Sequence, residues 1–357
     1  MTNYNVIRRR SKEIRIGKLA IGAENPIAVQ SMVNVSGYDA VYAQMRALED
    51  AGCDIIRMTV PDLEAARVLA QLKESDITMP IVADIHFDYR MAIEAAMAGA
   101  DKIRINPGNI GSEDRVKAVV DVCRQKNVPI RVGVNSGSLD KEKLHAFGRA
   151  TAEALAESAL ENVQLLEKFD FDKIVVAVKS SSPYTMTEAN RIIAERCDYP
   201  IHLGVTEAGT RHSGVLKSAA GIGGMLLSGV GDTIRISLTD SPVEEVKEGI
   251  ALLKALSFYS RPTLDIVSCP TCGRTKIDII SLAAAFEAQT ANAVLKKNCK
   301  VAIMGCVVNG PGEAGDADFG IAGGVGEAVF FRKGKIVCKI PEDKIIETLL
   351  QELEQYK

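Results

Sequence analysis

No run of about eighteen or more apolar residues occurs in this chain, so no bilayer-spanning helix is expected. An excess of positive charge is missing too. Lys and Arg number 43 against 46 Asp and Glu, a net charge of -3, and the pI is near 6.0. That balance removes the electrostatic basis for binding nucleic acid or an anionic membrane. An anionic substrate must then be met by local cations. The first ten residues carry a basic run, Arg8-Arg9-Arg10, with no apolar stretch behind it, so no secretory signal is expected. A cytoplasmic location follows as the expectation, and thiols stay reduced there. The eight cysteines are therefore expected to be core fillers, metal ligands or reactive thiols rather than a disulfide framework. No β-rich run is followed by G-x-G-x-x-G, so an open dinucleotide-binding sheet lacks its signature.

What the chain does have is a repeat of short β-rich and longer helical runs. Its 357 residues are 47% hydrophobic and 25% charged, enough to bury a large core. Strands are expected at 27–32, 55–59, 81–85, 102–105, 130–134, 174–178, 201–205 and 233–237. Each is rich in Val and Ile, as in a parallel sheet covered on both faces. Helical runs at 39–51, 63–74, 90–98, 113–125, 151–168, 187–195, 215–227 and 243–258 separate them. Eight βα units in about 235 residues predict a (β/α)8 TIM barrel. The pattern stops near Phe258, and Tyr259-Ser260-Arg261-Pro262 reads as a hinge. Residues 1–260 are thus expected to form the barrel and 261–357 a smaller C-terminal α/β domain, within the usual domain size.

In such barrels the working residues stand at the C-terminal ends of the strands. Reading those ends gives Ser31 and Asn34, Arg57 and Thr59, Asp84 and His86, Arg104 and Asn106, Arg131 and Asn135, Lys179, Glu207, and Arg235 with Ser237. Pairs spaced by two share one face of a strand. Five cations, Arg57, Arg104, Arg131, Lys179 and Arg235, would converge on one opening. Asp84 and Glu207 are expected to balance only part of that charge. Guanidinium forks fit phosphate oxygens, so a multiply charged anion such as a diphosphate is the expected ligand. The loops at Asn106-Pro107-Gly108-Asn109 and Asn135-Ser136-Gly137-Ser138 could add backbone donors.

The C-terminal domain carries Cys269-Pro270-Thr271-Cys272-Gly273, with Cys306 34 residues later in a glycine-rich loop. Three thiolates suit an iron–sulfur cluster or zinc, and a reactive dithiol is the other reading of C-x-x-C. A second C-x-x-C is absent, so a closed zinc ribbon is not supported. Glu313, seven residues past Cys306, stands where a weaker fourth ligand could come from; Cys299 rivals Cys306 for the third position. Cys53, Cys123, Cys197 and Cys338 fall within regular patterns and are expected to be inert filler. His145 is expected to face solvent and His202 to pack against the helical layer, and His212 stays open between ligand and bystander. Two other classes share these parts: an aldolase-like barrel with structural zinc and Lys179 as Schiff base, and a redox sensor binding a phosphorylated ligand.

The motifs Gln30-Ser31-Met32, 103–109, 131–138, 205–209, 229–239, 268–274 and 304–314 run in order through nearly the whole chain. Together they closely resemble the bacterial 4-hydroxy-3-methylbut-2-en-1-yl diphosphate synthase family, in its short two-domain form. That resemblance implies reduction, ring opening and dehydration of 2-C-methyl-D-erythritol 2,4-cyclodiphosphate in the methylerythritol phosphate route to isoprenoids. It implies a [4Fe–4S] cluster on Cys269, Cys272, Cys306 and Glu313, and diphosphate binding by Arg57, Arg104, Arg131, Asn135 and Lys179. Glu207 falls on the family's barrel glutamate, which acts on a substrate hydroxyl. Arg235, Ser237 and Asn309 are further expected substrate contacts. The resemblance also implies a homodimer, and flavodoxin or ferredoxin as electron donor.

Overall fold

The computed structural model describes residues 6–139, 141–291, 293–307 and 314–357. The chain divides into two compact units, Met1–Phe258 and Tyr259–Lys357.

The first unit opens with a hairpin that the strand pattern did not reveal, β1 (Ile14–Ile16) and β2 (Leu19–Ile21), paired antiparallel. Gly17, at φ +57°, supplies the left-handed residue of its two-residue turn. Eight strands follow: β3 (Ala28–Met32), β4 (Ile55–Thr59), β5 (Ile81–Asp84), β6 (Lys102–Ile105), β7 (Ile130–Asn135), β8 (Ile174–Lys179), β9 (His202–Leu203) and β10 (Thr233–Ile234). Their order is β8-β7-β6-β5-β4-β3-β10-β9, all parallel where paired. Bridges from Val176 to Ile201 and from Ser180 to Val205 bring β8 back against β9, so the sheet closes. The TIM-barrel expectation holds, and an open sheet is excluded. The last two strands are much shorter than their β-rich runs, because past Leu203 and Ile234 the chain leaves regular pairing.

The helices are α1 (Tyr38–Asp50), α2 (Leu63–Lys73), α3 (Tyr89–Met97), α4 (Pro107–Ile110), α5 (Glu113–Lys126), α6 (Lys141–Phe147), α7 (Ala152–Lys168), α8 (Pro183–Arg196), α9 (Arg211–Ser218), α10 (Gly224–Leu227) and α11 (Pro242–Ala255). One π-helical turn, Ala219–Gly223, joins α9 to α10. Several begin on a side-chain cap: Asp62 accepts from Ala65 N–H, Thr151 from Ala154 N–H and Ser182 from Thr185 N–H. Each such cap stabilises its helix by about 1 kcal/mol. The apolar stripes of the helices cover the outer face of the sheet, which is why the strands read as continuous Val/Ile runs.

The hairpin decides which end of the barrel is open. Ile14, Ile16 and Ile21 pack with Ala28, Ile55, Val82 and Val175, which stand at the first or second position of β3, β4, β5 and β8. An apolar plug therefore seals the N-terminal end of the strands.

The second unit holds β11 (Leu264–Ser268), β12 (Cys299–Met304), β13 (Phe319–Gly323), β14 (Glu327–Arg332) and β15 (Lys335–Pro341) in that spatial order. The first three are parallel and the last three antiparallel. Helix α12 (Ile279–Thr290) and the terminal helix Ile345–Leu353 cover one face through Phe286, Ile345, Leu349 and Leu353. Cys338 is exposed rather than buried filler, because β15 is an edge strand with little packed against it.

Candidate active site

Register sets which side chains enter the barrel. Arg104 pairs with Asp84 on one side and Arg131 on the other, so all three share the inner face. Asn135 pairs with Lys179 in the same way. The five cations all line one cavity of about 240 Å³ at the C-terminal end of the strands, with Asn135, Ser237, His86, Thr206 and Asn109 beside them. Two glycines leave them room. A Cβ at Gly133 would lie 2.5 Å from Arg104 Nε, and one at Gly204 would lie 3.0 Å from Lys179 Nζ.

The charge ledger is lopsided. Asp84 is fully buried; Arg104 Nη1 donates to its Oδ1 at 3.0 Å, while Arg57 Nη2 and His86 Nε2 stand 3.1 and 3.3 Å from its Oδ2. Burial works to raise its pKa, but Arg57, the His86 hydrogen bond and Arg104 outweigh this and hold it well below the carboxylate range. The second counter-charge is not Glu207 but Glu245 of α11, which accepts from Arg235 Nη2 at 3.3 Å. No strand-end rule finds Glu245, since it reaches the mouth from a helix. Glu207 is exposed at the rim, in a left-handed conformation with φ +52°. Strain of that kind in a non-glycine residue gathers at functional sites.

Arg131 is 1% exposed and donates to Gln30 Oε1 at 3.1 Å. Its pKa, like that of Lys179, is pushed well down, first by burial and then by neighbouring arginines. Burial likewise lowers Arg57 to about 10, against the pull of Asp84. The guanidinium groups stay charged at neutral pH. Five cations against two carboxylates leave a surplus of three positive charges when all are ionised, which a multiply charged anion would relieve.

Two expectations are corrected here, and one residue is added. Ser31 does not face the mouth: its hydroxyl donates to Pro242 O at 3.3 Å and contacts Glu245, on the helical side. The inward positions of β3 belong to Gln30 and Met32, one residue out of phase. His202 does not pack against the helical layer. It is buried within the barrel, Nδ1 at 2.8 Å from Thr233 Oγ1, and burial followed by the Lys179, Arg131 and Lys102 charges pushes its pKa well below 6.5. Lys102, which strand-end reading passed over, is wholly buried two residues before Arg104, its Nζ without a hydrogen-bond partner. Only its alternation with Arg104 could have flagged it. His145 and His212 are both exposed on their helices.

In the second unit the turn carrying Cys269 and Cys272 meets the end of β12. Gly305 N–H donates to Cys269 Sγ at 3.2 Å, and Lys276 N–H donates to Gly305 O at 2.9 Å. Cys306 follows directly. Hydrogen bonds from Arg274, backbone first, lower the pKa of the exposed Cys272. Amide donors on thiolate sulfur are the surroundings that iron–sulfur sites use, so the donor chemistry of these two touching loops fits such a group. Among the described residues, no three His, Cys, Asp or Glu side chains gather closely enough to hold a metal ion. Glu313 and Asn309 lie outside the described residues. Cys299 is buried in the core of this unit, on the side of Phe286 and Leu349, and burial pushes its pKa up to about 12. That is the state of a packed thiol, not a ligand.

A closed parallel barrel with a cationic mouth, followed by a unit presenting thiols on adjoining loops, defines a barrel protein built to handle a multiply charged anion. Comparison with known proteins narrows this. The GcpE TIM-barrel domain matches residues 11–250, and the GcpE protein C-terminal domain matches residues 265–355. The chain belongs to the GcpE family. It is 50% identical over 350 residues to the 4-hydroxy-3-methylbut-2-en-1-yl diphosphate synthase (flavodoxin) of Ruminiclostridium cellulolyticum, covering 98% of both chains. It is 52% identical over 351 residues to the protein of the same description from Caldanaerobacter subterraneus subsp. tengcongensis, again covering 98% of both. Among solved structures, a type I 3-dehydroquinate dehydratase from Clostridium difficile is similar at 16% identity and TM-score 0.51, covering 69% of this chain and 98% of that one. That likeness concerns the barrel fold alone.

Proposed function

We propose that the chain reduces 2-C-methyl-D-erythritol 2,4-cyclodiphosphate, opening its ring and releasing water to give 4-hydroxy-3-methylbut-2-enyl diphosphate in isoprenoid synthesis. The observation that carries this reading is the set of five cations lining one cavity, in a chain half identical over its length to synthases of that name. The barrel, 1–260, is the substrate-binding domain and 261–357 the cluster-binding domain.

Arg57, Arg104, Arg131, Lys179 and Arg235 hold the diphosphate, with Asn135 and Ser237 as neutral donors beside them. Held this way, the reacting carbon is fixed in place and water is displaced from around the phosphates. Breaking the ring C–O bond leaves charge on the diphosphate, and preorganised guanidinium groups stabilise it more in the transition state than in the ring. The departing hydroxyl needs a proton to leave as water, and Glu207 at the rim is the group that handles it. Cys269, Cys272 and Cys306 with Glu313 would hold a [4Fe–4S] cluster, and Asn309 would orient that loop. When bound, such a cluster supplies single-electron chemistry that amino-acid side chains lack. A carboxylate binds iron less tenaciously than a thiolate, so Glu313 suits an exchangeable position. Flavodoxin, named in the relatives' descriptions, is the electron donor we expect, with ferredoxin as the alternative. The working form is a cytoplasmic homodimer.

The test is anaerobic reconstitution of the full chain with iron and sulfide, then turnover of the cyclic diphosphate with a chemical reductant. Product formation supports the reading. A protein that takes up iron and sulfide yet leaves the cyclic diphosphate unchanged would refute it.

A further inference from the structure

Beside the cationic mouth lies a second, larger space. A groove of about 850 Å³ runs between the β3 and β4 ends and the starts of α1 and α2. Its walls include Met32, Val33, Val35, Val41, Met58 and Val68. Arg235 belongs to both spaces: it lines the groove and the 240 Å³ mouth cavity alike. The mouth is smaller than the roughly 300–1,000 Å³ typical of pockets for drug-sized molecules, whereas the groove falls inside that range. The side chain that separates them is an arginine with its Nε buried and without a hydrogen-bond partner.

Four carboxylates line the groove: Glu64 is exposed in the first turn of α2, and the other three are engaged. Glu245 accepts from Arg235 and from Leu238 N–H at 2.9 Å, Asp62 caps α2 through Ala65 N–H at 2.9 Å, and Asp240 accepts from Ser241 N–H at 2.7 Å. An anionic body would be repelled along this groove, and an apolar one would not. The complementary ligand has a concentrated negative head for the mouth and an uncharged hydrocarbon chain for the groove.

We propose that this groove receives the tail of a prenyl diphosphate, its head held by the mouth cations on the Arg235 side, so that longer allylic diphosphates compete with the substrate. The inference rests on the proposed reaction, whose product carries the same allylic diphosphate head on five carbons. A chain of ten carbons buries several more methylene-sized groups than a chain of five, and each buried group strengthens binding. Inhibition by later products of isoprenoid assembly follows from this arrangement without a separate regulatory domain.

The experiment uses the full chain. Calorimetry on the protein as isolated compares inorganic diphosphate, dimethylallyl diphosphate, geranyl diphosphate and geraniol. The same compounds are then tested as competitors of cyclic diphosphate turnover in the reconstituted enzyme. Geranyl diphosphate is expected to bind at least tenfold more tightly than dimethylallyl diphosphate, and geraniol not measurably. Val68→Glu, which puts a charge in the groove, should erase that tenfold gain and leave turnover unchanged. Val35→Glu, on the exposed rim, serves the same purpose should the first variant fold poorly. Equal binding of the two prenyl diphosphates, binding of geraniol as tight as geranyl diphosphate, or an undiminished gain in both folded variants would overturn the inference. Absence of cyclic diphosphate turnover would instead count against the reaction, and the calorimetric dependence on tail length reads out separately.

Discussion

Asp84→Asn tests the electrostatic account of the mouth directly. Asp84 is fully buried, with two guanidinium groups and an imidazole within 3.3 Å of its carboxylate. Asparagine keeps the volume and removes the charge, so Arg57 and Arg104 lose their counter-ion among three further cations. Removing one partner of a buried ion pair costs about 3–5 kcal/mol, mostly from the charge left behind. The full chain is unfolded in urea, followed by far-ultraviolet circular dichroism because it holds no tryptophan. The barrel transition of the variant should be weaker by that amount. Inorganic diphosphate should recover more of the loss in the variant than it adds to the wild type, since the anion restores the missing charge. The sign of the pH effect is fixed by Asp84's depressed pKa. Its contribution is fully present above the unfolded value of about 3.9 and is lost only below it. The deficit should therefore stay constant from pH 8 down to about pH 5. A deficit under about 1 kcal/mol, or one that shrinks between pH 7 and pH 5, would refute the reasoning.

Three further outcomes are expected. Gly133→Ala places a methyl group 2.5 Å from Arg104 Nε, so it should displace the guanidinium and weaken diphosphate binding about tenfold or more without removing a charge, measured by calorimetry. His202 is buried with a pKa pushed well below 6.5, so the unfolded chain binds the extra proton and stability falls as pH drops below about 6.5. His202→Gln should flatten that slope between pH 6.5 and pH 5 in urea titrations, and an unchanged slope counts against a neutral buried imidazole. Cys306→Ala should abolish the visible absorbance of the reconstituted protein and its turnover together, while Cys299→Ala should keep both; colour retained in the first variant would remove Cys306 from the ligand set.

Much of the fold was legible because β-strands buried on both faces and helices with one apolar stripe leave different periodicities. The five cations were legible because strand ends in a closed barrel converge, whatever the details of packing. Ser31 was misread because a shift of one residue in β3 reverses the face, and only pairing to β4 fixes it. The hairpin at Ile14–Ile21 escaped because its two strands are three residues each, too short to show alternation. Cys338 escaped because an edge strand has no covering layer, which sequence pattern alone does not reveal.

By itself, the order of residues determined the eightfold βα repeat, the second unit and the cysteine spacing, since each depends on neighbours along the chain. Tertiary structure alone decided that the apolar hairpin seals one end, that Glu245 rather than Glu207 neutralises Arg235, and that His202 and Lys102 lie inside the barrel. Those facts join residues up to hundreds of positions apart, and charge, burial and register act through space, where chain separation has no bearing.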